Sequence, residues 1–366
     1  MLLRKEAIWL DLFDMMAREG HEQVMFFRDK AKKLKAIIAL HDTTLGPALG
    51  GTRMFPYKTE EEAILDALRL SKGMTLKSGA CGNHFGGGKG IIWGDPDRDK
   101  DEGLFRAYGR FIEGLNGRFI TGTDVGTYPA DFVHCLPETQ YVVGLPSEYG
   151  GSGDTSVLTA YGVFLGILAC VEEVFGRRDL QGMSVAVQGL GKVGKKLCVH
   201  LKEAGARLIV ADIKDSRARE VSSELGATLV SPSEILEVEA DIFSPNAMGG
   251  ILNEETIPKL NCRIVAGAAN NQLATPYDAI RLFQRGILYA PDYIVNAGGV
   301  IGVADELEGY NPERARRKVE NIPLLLKKVF RISREEGIDT EKAAGRMVEA
   351  RLREVLQLKG IYVPER

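Results

Sequence analysis

Ser184-Val185-Ala186-Val187-Gln188-Gly189-Leu190-Gly191-Lys192-Val193-Gly194, with a helix-compatible stretch from Lys195 to Ala204 and then Arg207-Leu208-Ile209-Val210-Ala211-Asp212, decides how the second half of this chain is read. An apolar run ends in a Gly-x-Gly-x-x-Gly turn, and a carboxylate closes the next apolar run about twenty residues on. Each glycine has its own task. Gly189 makes the tight strand-to-helix turn, Gly191 lets backbone approach a pyrophosphate, and Gly194 packs helix on strand. The helix N-terminus then offers its positive end to the phosphates. A lone pattern of this kind is imitated by ordinary turns, but the strand before it, the helix after it and Asp212 together indicate a nicotinamide dinucleotide. Asp212 is placed to accept from the adenosine ribose 2′-hydroxyl, which favours NAD over NADP. Leu190, Lys192 and Val193 complete the cofactor loop.

Outward from this loop, strand signals recur at Leu208 to Ala211, Ala227 to Val230, Asp241 to Ser244, Arg263 to Ala266 and Ile287 to Tyr289, with helical stretches between the earlier ones. That alternation is the doubly wound α/β pattern. Upstream, Ile37 to Leu40 reads as a strand running into a glycine-rich turn at Gly46 to Gly51. A helix follows, capped by Thr59 with Glu62 completing a capping box, and its apolar stripe of Ala63, Ile64, Ala67, Leu68 and Leu70 ends at Gly73. A second glycine cluster occupies 86–88. The Gly/Pro-rich stretch from Gly144 to Gly153 reads as a joint, after which a long apolar helix runs to Phe175. At 366 residues the chain exceeds a single comfortable core, so two domains are expected, meeting at this joint. From Pro312 onward the chain reads as a charged helical tail with Leu324, Leu325, Val329, Phe330 and Ile332 as its buried side, returning to the first domain.

Composition excludes several classes of function. A formal net charge of −3 argues against nucleic acid or an anionic membrane as main partner. Five scattered cysteines without a Cys-x-x-Cys pair suit a reducing cytosol and read as small buried hydrophobes. The first residues show no signal peptide pattern, and the apolar run Val157 to Val171 is shorter than the ~20 residues of a membrane span, so a soluble cytoplasmic protein is expected. The histidines show no metal-ligand spacing, and no metal is expected.

Two lysines stand out. Lys77 and Lys89 lie in a charge-poor segment, Met74 to Trp93, and Lys89 sits between three glycines and Gly90-Ile91-Ile92-Trp93. Desolvation disfavours the ammonium and lowers its pKa, which makes such a lysine a usable general base or acid. A phosphate-binding P-loop is ruled out there by Asn83 and Gly90. Asp124, in Gly122-Thr123-Asp124-Val125-Gly126, follows a stretch from Arg118 to Thr121 that reads as a strand, where an acid is ordinarily a cap or turn residue. Asn270-Asn271 and Asn296 fall where strands of the dinucleotide domain end, the usual place for ligands in open α/β sheets.

Taken in order, Gly46-Pro47-Ala48-Leu49-Gly50-Gly51-Thr52-Arg53, Leu70-Ser71-Lys72-Gly73-Met74-Thr75-Leu76-Lys77, Gly86-Gly87-Gly88-Lys89, Thr123-Asp124-Val125-Gly126, Ala269-Asn270-Asn271-Gln272-Leu273 and Asn296-Ala297-Gly298-Gly299 resemble the amino-acid dehydrogenases of the glutamate, leucine, phenylalanine and valine superfamily, from about His21 to Glu308. The resemblance implies a two-domain α/β enzyme with an N-terminal α/β substrate and oligomerisation domain over 1–150, a Rossmann-type NAD-binding domain over 151–334 and a cleft between them. Helices 335–366 would pack back on the first domain, and the protein would be a homo-oligomer. The implied reaction is reversible oxidative deamination of an L-amino acid to its 2-oxo acid and ammonium. By motif, Lys77 with Asn271 would hold the α-carboxylate, Lys89 would activate water as general base, and Asp124 would shuttle protons. Asn270 and Asn296 would belong to the cofactor site, and Gly50 and Gly51 to the substrate site. Each lysine would depress the pKa of the other.

The resemblance also implies an apolar substrate. Leu49 stands where enzymes for glutamate carry a lysine, and it leaves a distal carboxylate unpaired, at a cost of several kcal/mol. Met74, Gly122, Val143, Val300 and Val303 complete the implied pocket wall. Gly122 is similar to the aromatic-specific members and Val300 to the leucine type, so leucine and its branched relatives are the first reading and phenylalanine the second. A catalytically silent NAD-binding regulator is the rival from another class, disfavoured by the presence of both lysines.

Overall fold

The computed structural model describes residues 11–358; residues 1–10, on which the signal-peptide reading rests, and tail residues 359–366 lie outside the described residues. The chain forms two compact units, one from residues up to 79 together with 84–151, the other from 80–83 together with 152 onward.

The first unit is built on a five-stranded sheet: β1 (Gln23–Asp29), β2 (Leu34–Asp42), β3 (Ala48–Phe55), β4 (Gly86–Trp93) and β5 (Phe119–Thr123), in the order β1-β2-β4-β3-β5. The β1–β2 and β2–β4 pairs are antiparallel, whereas β4, β3 and β5 run parallel. Strand alternation sorts the faces. Ala36, Ile38 and Leu40 of β2 join Phe105, Tyr108 and Ile112 of the helix Glu102–Glu113, while Ile37 and Ala39 pack on Ala63, Ile64, Ala67 and Leu68 of the helix Glu60–Ala80.

The expected turn at Gly46 to Gly51 gives way to strand from Ala48 onward, and the second glycine cluster is strand as well. Gly50 and Gly51 are inside β3 and Gly86 to Gly88 inside β4. They are strand residues because neighbours come too close for a side chain: a Cβ on Gly50 would strike the Gly88 carbonyl, one on Gly87 would strike Ser71 and Thr75 of the helix, and one on Gly88 would lie 2.7 Å from the Phe119 ring. The helix expected to stop at Gly73 continues to Ala80. A mid-helix glycine costs only about 1 kcal/mol, and the helix beyond it stays packed, with Thr75, Ser78 and Ala80 buried. At its start Thr59 accepts from the Glu62 N–H at 3.1 Å, but Glu62 reaches back to the Lys58 N–H at 2.9 Å, one residue beyond a reciprocal box.

The second unit carries a parallel sheet of β6 (Ser184–Gln188), β7 (Arg207–Ala211), β8 (Thr228–Leu229), β9 (Ile242–Pro245), β10 (Ile264–Val265) and β11 (Leu288–Tyr289), in the order β11-β10-β9-β6-β7-β8. The chain leaves β8 at one edge and returns to the other side of β6. This is the Rossmann order, with its switch point between β6 and β9. The helix Ser156–Phe175 has 20 residues and is long and apolar enough to cross a membrane, so the length argument against a membrane span does not hold. Packing places it instead: Gly162 and Gly166 let Val295, Val319, Ile322 and Leu326 approach its backbone, making it a core helix of this unit.

The tail also departs from expectation. Thr340–Leu358 packs on the helices Ile322–Glu336 and Pro276–Gln284 and on β11, all in the second unit, through Ala343, Ala344 and Val348. Its Arg351 Nη2 donates to the Asn83 carbonyl at 2.8 Å, within the short 80–83 segment that belongs with this unit. A small-residue stripe specifies close packing without specifying against what. In the preceding helix the buried ridge is Ile322, Leu326, Val329 and Phe330, whereas Leu324 is 59% exposed. Cys81, Cys135, Cys170 and Cys198 are buried and Cys262 half-buried.

Candidate active site and dinucleotide loop

In the first unit the chemistry gathers at the end of β3, β4 and β5. Lys89 extends from β4 into the interior, where its side chain is 7% exposed, and forms an ion pair with Asp124 Oδ2. Asp124 sits just past β5, on a loop pinned to β3: the Thr127 hydroxyl donates to the Thr52 carbonyl at 2.8 Å, and the Met54 N–H donates to the Val125 carbonyl at 3.0 Å. Gly126, at φ +77°, closes against Met54, where a side chain has no room. Beneath Lys89, the Thr52 hydroxyl is 2.6 Å from Tyr108 Oη and 2.7 Å from Thr121 Oγ1, tying β3 to β5. The loop carrying Asp124 is thus tied to β3 by hydrogen bonds that involve no substrate.

Burial lowers the Lys89 pKa even against the opposing pull of Asp124. Burial works the other way on Asp124, but the positive charges of Lys89 and Arg53 outweigh it and hold the carboxyl below its ordinary range. The pair thus places a fixed carboxylate beside an amine that gives up its proton more easily than a surface lysine. Among the charges acting on Lys89, Arg53 of β3 lowers its pKa further. Arg53 was quoted in the Gly46 to Arg53 motif without a role. The available signal was its strand position, two residues past Gly51, which puts it on the same strand face. Lys77 and Met74 lie half-buried on the helix Glu60–Ala80, and Leu49, Gly50 and Val143 are buried.

Gly122 does not open space where it was expected to. Val143 donates its N–H to the Thr121 carbonyl at 2.8 Å, and a Cβ on Gly122 would lie 2.7 Å from the Val143 carbonyl oxygen. The room attributed to Gly122 is occupied by the neighbouring backbone.

In the second unit the glycine loop follows β6. The Gly189 N–H donates to the Ala211 carbonyl at 2.8 Å, and Gly189 takes φ +91° against Ala247. Gly194 has no space for a side chain because the Gly189 carbonyl lies against it, but around Gly191 there is nothing within 4 Å. Gly191 is the N-cap of the helix Lys192–Glu203. Asp212 accepts from the Leu190 N–H and from the Lys214 N–H, each at 2.7 Å, so the carboxylate ties the loop to the end of β7. The loop after β10 carries exposed Asn270 and Asn271, with Asn271 in the left-handed region at φ +51°. Asn296 Nδ2 donates to Asn270 Oδ1 at 2.8 Å, while its own Oδ1 is buried without a partner among the described residues. Val300 and Val303 are half-buried on the helix Gly298–Asp305, and Lys192 is exposed. An open glycine, a helix N-terminus and an orphaned amide oxygen fit a dinucleotide.

Residues 21–141 match the Glu/Leu/Phe/Val dehydrogenase dimerisation domain, and residues 150–219 and 210–344 match the glutamate/leucine/phenylalanine/valine dehydrogenase domain. The chain belongs to this family. Leucine dehydrogenase of Geobacillus stearothermophilus is 54% identical over 343 residues, covering 94% of each chain. Phenylalanine dehydrogenase of Lysinibacillus sphaericus is 52% identical over 341 residues, covering 92% of this chain and 89% of that one. The crystal structure of L-tryptophan dehydrogenase from Nostoc punctiforme superposes with a TM-score of 0.84 at 49% identity, covering 94% of this chain and 99% of that one. The protein is accordingly an amino acid dehydrogenase, an oxidoreductase whose family depends on a pyridine nucleotide.

Proposed function

We propose that this dehydrogenase catalyses NAD-dependent, reversible oxidative deamination of an apolar L-amino acid, leucine and its branched relatives first, yielding the 2-oxo acid and ammonium. The buried Lys89–Asp124 pair carries the reading. Lys77 and Asn271 bind the α-carboxylate, and Leu49, Met74, Val143, Val300 and Val303 surround the side chain. Lys89, with its proton held loosely, takes a proton from the attacking water. Asp124 accepts and returns protons at the substrate nitrogen and keeps Lys89 aimed. NAD, when bound, supplies the hydride acceptor. Gly189 to Gly194 hold its pyrophosphate, Asp212 its ribose and Asn296 its amide end.

Leu49 supports an apolar substrate because a distal carboxylate beside it would be buried unpaired. With the space at Gly122 filled by Val143, the argument for an aromatic side chain loses its structural basis, and leucine precedes phenylalanine. The enzyme acts as a homo-oligomer in the cytoplasm, a reading supported by the match of its first unit to a dimerisation domain. NADH formation across a panel of L-amino acids tests the proposal. Leucine, isoleucine and valine should turn over well, phenylalanine less, glutamate hardly at all; a panel led by phenylalanine or glutamate overturns the substrate assignment.

A further inference from the structure

Arg53 lies beside the Lys89–Asp124 pair and has no assigned role. Its Nη1 pairs with Asp66 Oδ2 of the helix Glu60–Ala80 at 2.8 Å. Its Nε–H is buried, makes no hydrogen bond, and lies 3.6 Å from Asp124 Oδ2, the oxygen that also faces Lys89. Asp66 is held in turn by the Tyr57 hydroxyl at 2.6 Å and by Arg69 Nη2 at 2.8 Å. The guanidinium is therefore suspended between two carboxylates, hydrogen-bonded to one and just out of hydrogen-bond range of the other.

We propose that Arg53 is a positioning residue: anchored by Asp66, it shares Asp124 with Lys89 and limits how tightly that carboxylate grips the amine. The inference rests on the reading of Lys89 as general base. Were Asp124 paired with Lys89 alone, its full charge would hold the ammonium and oppose loss of the proton. Arg53 takes part of that charge without donating a hydrogen bond, and Asp66 keeps it from moving onto Asp124 entirely.

The charged groups acting on Lys89 come from three elements: Asp124 after β5, Arg53 on β3, and Asp66 on the packed helix, with Tyr57 and Arg69 acting on Asp66. Asp124 and Asp66 favour the ammonium, and Arg53 disfavours it. Removing Arg53 and removing Asp66 should thus move Lys89 in opposite directions, which general loosening of the site would not do.

The experiment is the pH profile of kcat/KM for leucine oxidation with NAD. The substrate's own ionisation is common to all variants, so differences between them belong to the enzyme. Arg53→Gln should shift the rising limb to higher pH by about one unit, and Arg53→Lys, which keeps the charge, should restore most of the shift. Asp66→Asn should shift the limb to lower pH, and decides alone if Arg53→Gln does not fold. A limb that stays in place in these variants, or moves the same way in both, overturns the proposal. Lys89→Ala in parallel separates the two levels. Retained turnover there removes the base assignment itself, whereas an inactive Lys89→Ala with unmoved limbs removes only the role of Arg53.

Discussion

Gly86 to Gly88 in the first unit and Gly189 to Gly194 in the second are both glycine-rich runs leading into a lysine-bearing segment, yet their glycines face different things. Those of β4 face protein: the helix Glu60–Ala80, the Asp42 and Gly46 backbone, and the Phe119 ring occupy the volume a side chain would need. Around Gly191 there is open space. The first set brings strands and helix close enough to deliver Lys89 into a buried setting; in the second, Gly189 and Gly194 also face protein, and Gly191 alone leaves backbone bare for a ligand. Glycine clustering alone does not separate these uses; what lies opposite each α-carbon does.

The largest test of this contrast is at the residue the first cluster delivers. Lys89→Ala should lower kcat by about 10²–10⁴, the usual worth of a positioned general base, with NADH affinity unchanged by fluorescence titration. A smaller effect separates the clusters directly. Gly88→Ala forces a methyl against Phe119 and should cost about 1–3 kcal/mol of stability, read as a lower Tm or denaturant midpoint. Gly191→Ala meets nothing and should leave Tm unchanged while weakening NADH binding roughly tenfold, about 1.4 kcal/mol. If Gly191→Ala destabilises the free protein as much as Gly88→Ala does, the contrast fails.

Asp212→Ala sharpens the second half of the comparison. NAD should be strongly preferred over NADP in the parent, and the variant should lose much of that preference as ratios of kcat/KM. Because Asp212 also accepts from the Leu190 and Lys214 N–H groups, the same change should loosen the glycine loop and raise the KM for NAD. The smallest expected effect is at Gly122. Gly122→Ala pushes on the Val143 carbonyl, so leucine and phenylalanine should lose activity in similar proportion, with their kcat/KM ratio little changed.

Legibility followed the range of the interactions. Gly189 and Gly194 were readable because the strand, turn and helix that define their roles are local, within one βαβ unit. Lys89 was singled out from its charge-poor surroundings, and its burial follows from the same apolar and glycine neighbours. Its partner was not readable from spacing. Asp124 looked like a turn residue, and it is one, with its N–H bonded to Thr127 Oγ1 at 2.9 Å, while its carboxylate also serves Lys89. Arg53 was missed because its two carboxylates come from a helix and from a loop after another strand. Gly73 as a helix stop, Gly50 and Gly51 read as part of a turn, and the tail sent to the wrong unit share one cause: local propensity amounts to about 1 kcal/mol per residue, and packing overrides it.

The amino-acid sequence by itself determined the strand, glycine turn and helix of the Gly189 loop, the alternation of strands and helices in the second unit, and the burial of Lys89, since each rests on chemistry carried within a short segment. Only the tertiary structure decided that the glycines of β3 and β4 are strand residues, that Gly122 abuts Val143, and that one buried carboxylate stands between Lys89 and Arg53. These facts depend on which backbones approach each other and on charges brought together from separate elements; no spacing along the chain encodes the distance between them.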